Sequence, residues 1–302
     1  PGLEFYMNYN LSWNNHSLAL GTRTHLMGVL NVTPDSFSDG GRYFSVAHAV
    51  AHGVNMARDG ADIIDIGGES TRPYSGKLPT NEEMARVIPV IRQLRKEISI
   101  PISIDTYKAE VAEEALNAGA SMINDISALR LDPHMGRVAA NACVPVILMH
   151  MKGTPENMQR HPEYDDLIRE ILDFLKNAIQ RSESAGIKRD MMILDPGIGF
   201  GKTFEHNLKV IHNLEKFQTL KQPLLLGPSN KAFIGRILGK EAHERDTGTM
   251  AAVAACVMNG AHIIRAHNVK MAVETIKIID AIKRERISEE NRPEVTSHAV
   301  LH

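Results

Sequence analysis

Short apolar segments alternate with longer segments of helical periodicity along most of the chain. Eight runs rich in Ile, Val and Leu have the continuous hydrophobicity of strands that are covered on both faces of a parallel sheet. These runs are residues 25–32, 61–68, 101–106, 121–127, 145–150, 191–197, 223–227 and 261–267. The clearest helical segments between them are residues 46–58, 81–96, 108–118, 163–185, 204–217, 247–259 and 269–286.

Eight strand–helix units predict an α/β fold, a single (β/α)8 TIM barrel. Several helical segments end in a glycine that leads directly into the next strand, as helix-terminating glycines do. These glycines are Gly60, Gly119, Gly186 and Gly260. A doubly wound open sheet is the competing α/β fold.

The predicted barrel occupies most of the 302 residues, of which 43% are apolar, enough for one large core. We assign residues 25–286 to the barrel. We expect residues 1–24 to form an N-terminal segment, partly artificial ahead of Met7 and otherwise a short β lead-in. Residues 287–302 form a polar tail that contains Pro293 and is predicted to fray.

Composition excludes several classes of protein. Lys plus Arg number 34 and Asp plus Glu 36, a net charge of -2 that argues against a generic nucleic-acid binder. Cys143 and Cys256 are far apart and form no C-x-x-C motif, which argues against a disulfide scaffold or a thiolate zinc site. The longest apolar runs are about seven residues, too short for a bilayer span, and no signal-peptide pattern is present. We therefore expect a cytoplasmic protein.

Polar and charged residues follow almost every predicted strand at its C-terminal end. If the strands are parallel, all of these residues face the mouth at which barrel enzymes carry their chemistry. Taken singly, each has a structural explanation, such as helix capping by a carboxylate or a hydrogen-bonded structural histidine. Their common position is what favours an active site. The residues are Asn31, Glu69, Ser70, Thr71, Arg72, Asp105, Asn124, Asp125, His150, Asp195, Ser229, Lys231, Arg265 and His267.

The glycine-rich segment at residues 197–203 superficially resembles a phosphate-binding loop. The P-loop spacing requires glycine where Pro196 stands, and the dinucleotide fingerprint fails because Lys202 occupies its last glycine position. We interpret the segment as a tight loop after a strand, where the backbone approaches a ligand and Phe200 offers an aromatic face.

Six strings of residues resemble, in order, the signatures of the dihydropteroate synthases, a family of pterin-binding TIM barrels. The first two are highly specific, and the third to fifth are shared in part with other pterin-binding barrels such as the methyltetrahydrofolate:corrinoid methyltransferases. The resemblance extends over about residues 25–286. The strings are residues 27–41 (MGVLNVTPDSFSDGG), 67–73 (GGESTRP), 103–106 (SIDT), 123–125 (IND), 148–151 (LMHM) and 194–202 (LDPGIGFGK).

The resemblance implies condensation of 6-hydroxymethyl-7,8-dihydropterin pyrophosphate with p-aminobenzoate to give 7,8-dihydropteroate and pyrophosphate. This is a transferase step of folate biosynthesis, and the family is a target of sulfonamides. Mg²⁺ is the implied cofactor, and the implied partners are the two small-molecule substrates, with no nucleic acid or membrane. The family's usual homodimer would bury the apolar faces of residues 250–258 and 271–282.

The resemblance also implies roles for residues at the mouth. The catalytic candidates are Asp105, Lys231, Arg265 and His267. The candidate pterin contacts are Asp105, Asn124, Met149, Asp195, Phe200, Lys231 and Arg265. The p-aminobenzoate candidates are Thr71, Arg72, Pro73, Phe200 and Ser229, and the pyrophosphate candidates are Asn31, Arg265 and His267, with Asn31 also the candidate metal ligand. A loop expected to move and close over the substrates contains Thr33, Pro34, Asp35 and Phe37.

Side-chain chemistry agrees with these roles. A buried carboxylate such as Asp195 can accept two adjacent N–H groups from the pterin edge. The flat guanidinium of Arg265 can stack on the bicyclic ring, and Asp105 can offset positive charge during the reaction. The amide oxygen of Asn31 is the kind of hard ligand that Mg²⁺ accepts.

Two positions depart from the family pattern. Asn230 stands where the family usually has arginine, and Asn268 stands where it usually has aspartate. The neighbouring Lys231, Arg265 and His267 are retained. We expect the departures to tune the affinity for p-aminobenzoate or pyrophosphate.

Two other functions remain open. A methyltransferase barrel that uses methyltetrahydrofolate would explain the Asp and Asn pterin contacts, but not the long first loop or the Ser229-x-Lys231 pattern. A non-catalytic pterin-binding paralogue is suggested by Asn230 and Asn268.

Overall fold

The computed structural model describes residues 7–33, 42–69, 77–159 and 162–286. The strands are β1 (Tyr9–Trp13), β2 (His16–Leu20), β3 (His25–Asn31), β4 (Ile63–Gly67), β5 (Ile102–Asp105), β6 (Met122–Asp125), β7 (Val146–Met149), β8 (Met192–Asp195), β9 (Leu225–Leu226) and β10 (Ile263–Ala266). The α-helices are α1 (Arg42–Arg58), α2 (Thr80–Glu97), α3 (Ala109–Ala118), α4 (Met135–Ala142), α5 (Leu167–Ser184), α6 (Phe204–His212), α7 (Ala232–Leu238), α8 (Asp246–Met258) and α9 (Val269–Arg284).

Strands β3 to β10 form one parallel sheet in the order β8-β7-β6-β5-β4-β3-β10-β9. A parallel bridge between Leu194 and Leu224 joins the two ends of this sheet. The predicted (β/α)8 TIM barrel is therefore confirmed, and the alternative of an open doubly wound sheet is wrong.

Register brings the polar strand ends into line at the mouth. Asn31 is paired in register with Gly67, Gly67 with Asp105, and Asp105 with Asn124. All eight strands run in the same direction, so their C-terminal residues share one end of the barrel although they are far apart in sequence. The opposite, N-terminal ends of the strands carry none of these candidate residues.

The helix predictions differ from the structure in two short helices, in one segment that divides in two, and in the starts of α1 and α5, which begin at Arg42 and Leu167 and not at residues 46 and 163. Helices α4 and α7, of 8 and 7 residues, were not among the clearest helical segments. Both are too short to show a helical period in a window of about 11–18 residues. The segment predicted as one helix at residues 204–217 is α6 followed by a 3-10 helix, Leu214–Leu220.

The barrel strands are buried along nearly their whole length. Ile63, Ile64 and Ile66 of β4 are wholly buried, as expected for a strand with helices on one face and the packed barrel interior on the other. No helix among the described residues is both long enough and apolar enough to cross a membrane.

A hairpin of β1 and β2 covers the end of the barrel opposite the mouth. Its buried side chains Leu11, Trp13, Leu18 and Leu20 join the main hydrophobic core. After the hairpin, the chain is held to α9 by Asp280.

We expect Asp280→Ala to destabilise the fold without altering the mouth. The two oxygens of this buried carboxylate accept from the Thr24 backbone N–H at 2.7 Å and from Thr24 Oγ1 at 2.9 Å. Leaving a buried donor unsatisfied costs about 1–3 kcal/mol. Urea unfolding should show this loss, whereas Asp280→Asn, which keeps one acceptor, should lose less. Equal stability of the alanine variant and the native chain would contradict this role.

Candidate active site

A buried guanidinium joins two strands at the centre of the mouth. Arg265 of β10 donates from Nε to Asp65 of β4 at 2.6 Å and from Nη2 to Asp105 of β5 at 2.8 Å. The side chains are 21%, 0% and 12% exposed, respectively, so water screens these charges little. Burial raises the pKa of the Asp105 carboxyl, Arg265 lowers it and Asp65 raises it again, and the net shift is upward.

Asn124 joins the same cluster from β6. Its Nδ2 donates to Asp65 Oδ2 at 2.9 Å, so one carboxylate oxygen serves both Asn124 and Arg265. The predicted pterin residues Asp105, Asn124 and Arg265 are thereby brought into one bonded group.

Asp195 lies at the end of β8, where the backbone turns sharply. Its Oδ1 accepts from the Gly197 N–H at 2.7 Å. Gly197 has φ +74°, and a Cβ there would lie 1.9 Å from His150 O, so only glycine fits. Burial raises the pKa of Asp195 to about 6, although that backbone bond and nearby cations, including Lys231, lower it. A carboxylate held in this way is ionised near neutral pH and poised to accept N–H groups.

Lys231 extends over the glycine-rich loop. Its Nζ lies 4.4 Å from the centroid of the Phe200 ring, and a Cβ on Gly199 would be 2.9 Å from its Cδ. Burial lowers the pKa of Lys231 to about 8, with a further contribution from Arg265. One face of Phe200, which was expected to offer a stacking surface, therefore carries a cation.

Lys202 holds the glycine-rich loop through hydrogen bonds to its backbone. The buried ammonium lies 2.8 Å from His150 Nδ1 and donates to the backbone oxygens of Gly197 at 2.9 Å and Phe200 at 3.1 Å. Burial lowers the pKa of Lys202 to about 7, and Asp195 partly offsets that effect. His150 is also buried and packs edge-on against Phe174, which supports its structural interpretation.

The remaining predicted residues lie around the rim. Ser229 Oγ and His267 Nδ1 are 2.8 Å apart, with Ser229 buried and the imidazole exposed. Asn31 is exposed at the end of β3. Met149 is buried beside Asp195 on the adjacent strand and packs in a small apolar cluster against Phe200.

Both departures from the family pattern form local contacts. Asn230 has φ +57°, a conformation that asparagine tolerates, and its side-chain oxygen accepts from Thr249 Oγ1 at 3.3 Å. Asn268 caps α9 by accepting from the Met271 N–H at 3.2 Å and donates to Asp246 at 2.8 Å.

Asp65 was not predicted from the sequence, and Lys202 was assigned no role. The predicted residues are polar side chains at strand ends, whereas Asp65 lies inside β4. The available signal was the position of Asp65 between the isoleucines of the apolar run at residues 61–68, since a buried charge requires a partner.

A second cluster, which was not predicted, joins Glu69 after β4 to Lys108 before α3. Lys108 Nζ donates at 2.6 Å to each of Glu69 Oε2, Glu83 Oε2 and Leu78 O, while Tyr107 OH donates to Glu69 Oε1 at 3.0 Å. This ion network joins Glu69 to the backbone of Leu78 through Lys108.

Several predicted residues lie outside the described part of the chain. They are Pro34, Asp35, Phe37, Thr71, Arg72 and Pro73. Thr33, the last residue described before Pro34, is half-buried. No group of three or more His, Cys, Asp or Glu side chains that could hold a metal is present among the described residues.

Comparison with known proteins agrees with this arrangement. A sequence model of the pterin binding enzyme family matches residues 27–267. The dihydropteroate synthase of Bacillus subtilis is 48% identical over 266 residues, which cover 88% of this chain and 91% of that protein.

Two solved structures are similar to the whole barrel. The Yersinia pestis dihydropteroate synthase with a sulfonamide drug complex has a TM-score of 0.86 at 42% identity, covering 91% of this chain and 99% of that chain. The Xanthomonas albilineans dihydropteroate synthase in complex with 7,8-dihydropteroate has a TM-score of 0.81 at 40% identity, covering 92% and 98%. With the polar mouth and the closed parallel barrel, these matches establish that the chain belongs to the dihydropteroate synthase family of pterin-binding enzymes.

Proposed function

We propose that this protein condenses 6-hydroxymethyl-7,8-dihydropterin pyrophosphate with p-aminobenzoate, releasing 7,8-dihydropteroate and pyrophosphate in folate biosynthesis. The observation that carries the proposal is the bonded group of Asp65, Asp105, Asn124 and Arg265 beside Asp195 at the barrel mouth, in a chain of this family. The cytoplasmic location stays a prediction.

The pterin would be recognised by complementary donors and acceptors. Asp195 accepts adjacent N–H groups of the pyrimidine edge, and Lys231 donates to a ring nitrogen or carbonyl. Met149 and Phe200 supply apolar surface beside the flat ring. The guanidinium of Arg265 is bonded through its edge to two carboxylates and would stack on the ring through a planar face.

The donor chemistry at the rim fits Mg²⁺ bound together with the substrate. Mg²⁺ usually takes one or two protein oxygens, substrate phosphate oxygens and water instead of an all-protein cage. Asn31 offers one exposed amide oxygen at the mouth, and no carboxylate cage is present among the described residues. When bound, the metal would neutralise charge on the departing pyrophosphate.

The chain's own residues would separate the charges that form. When the C–O bond of the pterin methylene breaks, its electron pair leaves with pyrophosphate, for which Arg265 and His267 are the candidate contacts. Asp105 offsets the positive charge left on the pterin. The aniline nitrogen then bonds to the methylene carbon and loses its proton to solvent. Orientation of that weak nucleophile is the remaining task, for which Ser229, Phe200, Thr71, Arg72 and Pro73 are the candidates.

A pyrophosphate-release assay with purified protein, pterin pyrophosphate and Mg²⁺ tests this function. We expect stoichiometric release of pyrophosphate and formation of dihydropteroate that depend on p-aminobenzoate, and competition by sulfonamides. Tight pterin binding without turnover would identify the non-catalytic paralogue suggested by Asn230 and Asn268. Methyl transfer from methyltetrahydrofolate, with no pyrophosphate released, would identify the methyltransferase.

We also propose that the protein is a homodimer through the surface formed by α6, α7, α8 and α9. Helices α6, α7 and α8 pack together, and α8 packs against α9. This surface exposes large apolar side chains that would be buried between two copies. They are Phe204, Leu208, Ile237, Leu238, Met258, Ile278 and Ile282.

Sedimentation velocity at micromolar concentration tests the dimer. Ile278→Glu combined with Ile282→Glu should give monomers, because both side chains are more than half exposed on one copy and a charge cannot be buried there without a partner. Leu131→Glu, at an exposed apolar residue on a different surface, should leave the dimer intact. A monomeric native chain would overturn the proposal.

A further inference from the structure

Asp65 connects two of the candidate pterin residues although it is itself fully buried. Its Oδ2 accepts from Asn124 Nδ2 at 2.9 Å and from Arg265 Nε at 2.6 Å. Its Oδ1 has no hydrogen-bond partner among the described residues. Burying a carboxylate in the middle of an apolar strand is costly, and the Arg265 counter-charge is already matched by Asp105. Stabilising Arg265 does not require a second buried carboxylate, so we expect Asp65 to have a further role.

The first consequence concerns the amide of Asn124. A side-chain amide can present either its NH2 group or its oxygen to a ligand, and the two faces recognise opposite partners. An ionised carboxylate only accepts, so Asp65 holds Nδ2 on its own side. Asn124 Oδ1 is therefore kept on the other side as an acceptor for a pterin N–H.

The second consequence concerns the plane of Arg265. A guanidinium bound at one edge can rotate about its side chain, whereas Arg265 is bound at Nε by Asp65 and at Nη2 by Asp105. The two carboxylates lie on neighbouring strands, β4 and β5, whose register is set by the sheet. The plane of the ion is thereby defined before any flat ligand binds, which reduces the entropy lost on stacking.

We propose that Asp65 is a positioning residue for the pterin site: one buried oxygen sets the donor–acceptor direction of Asn124 and the plane of Arg265. The proposal rests on the proposed pterin chemistry and deepens it. It assigns Asp65 no contact with substrate.

The first test is the equilibrium affinity for a pterin, 6-hydroxymethylpterin, measured by calorimetry on the full chain. Asp65→Asn keeps the size of the side chain but removes its charge, and should weaken pterin binding about 10- to 100-fold, the effect of one charge-assisted hydrogen bond. Its urea midpoint should stay near that of the native chain, because Arg265 keeps Asp105 as its counter-charge.

Ser103→Ala is the matched control. Ser103 is fully buried on β5 at the position paired in register with Asp65 and has no hydrogen-bond partner among the described residues, so its loss should leave pterin affinity unchanged. Native affinity in Asp65→Asn, or an equal loss in Ser103→Ala, would overturn the proposal. Absence of pterin binding by the native chain would instead refute the proposed function.

An exchange of the two side chains gives a test that does not depend on Asp65→Asn alone. Asn124→Asp places two carboxylates at a contact of 2.9 Å and should lose pterin affinity at least as strongly. Combining it with Asp65→Asn restores one amide and one carboxylate, with residue 124 still an acceptor toward the ligand. We expect the double variant to bind the pterin at least about 10-fold more tightly than Asn124→Asp alone. Additive losses would show that residues 65 and 124 act independently, and would contradict the proposal.

Discussion

Asp195→Ala is expected to weaken pterin binding about 10²- to 10⁴-fold, because it removes two charge-assisted hydrogen bonds of about 1.5–3 kcal/mol each. Calorimetry with 6-hydroxymethylpterin and the pyrophosphate-release assay both report this loss. The carboxylate also accepts from the Gly197 N–H at 2.7 Å, so the variant additionally loosens the loop that carries Phe200. We therefore expect kcat to fall together with the affinity.

The pH dependence separates the charge of Asp195 from its shape. Only the ionised carboxylate accepts two N–H groups, and burial raises the pKa of Asp195 to about 6. Pterin affinity should therefore be highest between about pH 6 and pH 8, where Asp195 is ionised and Lys231 is still a cation, and should fall as the pH drops through about 6. Asp195→Asn should be weak throughout and lose that dependence. Asp190→Ala, the control, removes an exposed carboxylate just before β8 and should change neither the pterin affinity nor its pH dependence. Unchanged pterin binding in Asp195→Ala would refute the role of Asp195 as the pterin acceptor.

Arg265→Ala is expected to give the largest loss of stability among single changes at the mouth. It leaves Asp65, which is wholly buried, and Asp105 without their shared cation. Removing one partner of a buried ion pair typically costs about 3–5 kcal/mol. Urea unfolding at neutral pH should show this loss, and the surviving protein should release no pyrophosphate.

Two further variants show whether burial is the cause. Arg265→Lys keeps the charge but cannot donate to two carboxylates in the same planar geometry, so it should recover stability more than activity. Arg169→Ala breaks a pair with Asp173 whose side chains are 80% and 68% exposed, and should leave the urea midpoint unchanged. If Arg265→Ala were as stable as Arg169→Ala, the buried cluster would not be an important source of stability.

Much of this molecule is predictable from local patterns. Continuous apolar runs predict parallel strands because both faces of such strands are covered. A carboxylate at the end of a strand, such as Asp105 or Asp195, indicates that this end lies at the polar mouth. The barrel, the mouth and most candidate pterin residues follow from these patterns together with the family's strings. The short helices α4 and α7 do not, because fewer than three turns of helix carry too little periodicity.

The sequence by itself therefore determined the strand order along the chain and the end of each strand at which polar side chains gather. Only the tertiary structure decided which of those side chains form hydrogen bonds and ion pairs with one another. Arg265 is 200 residues from Asp65 and 160 from Asp105, and the three meet only because the barrel closes with β10 beside β3. Contacts of that kind depend on strand register and burial, which result from the packing of the whole barrel. They produce no periodic pattern in the local sequence.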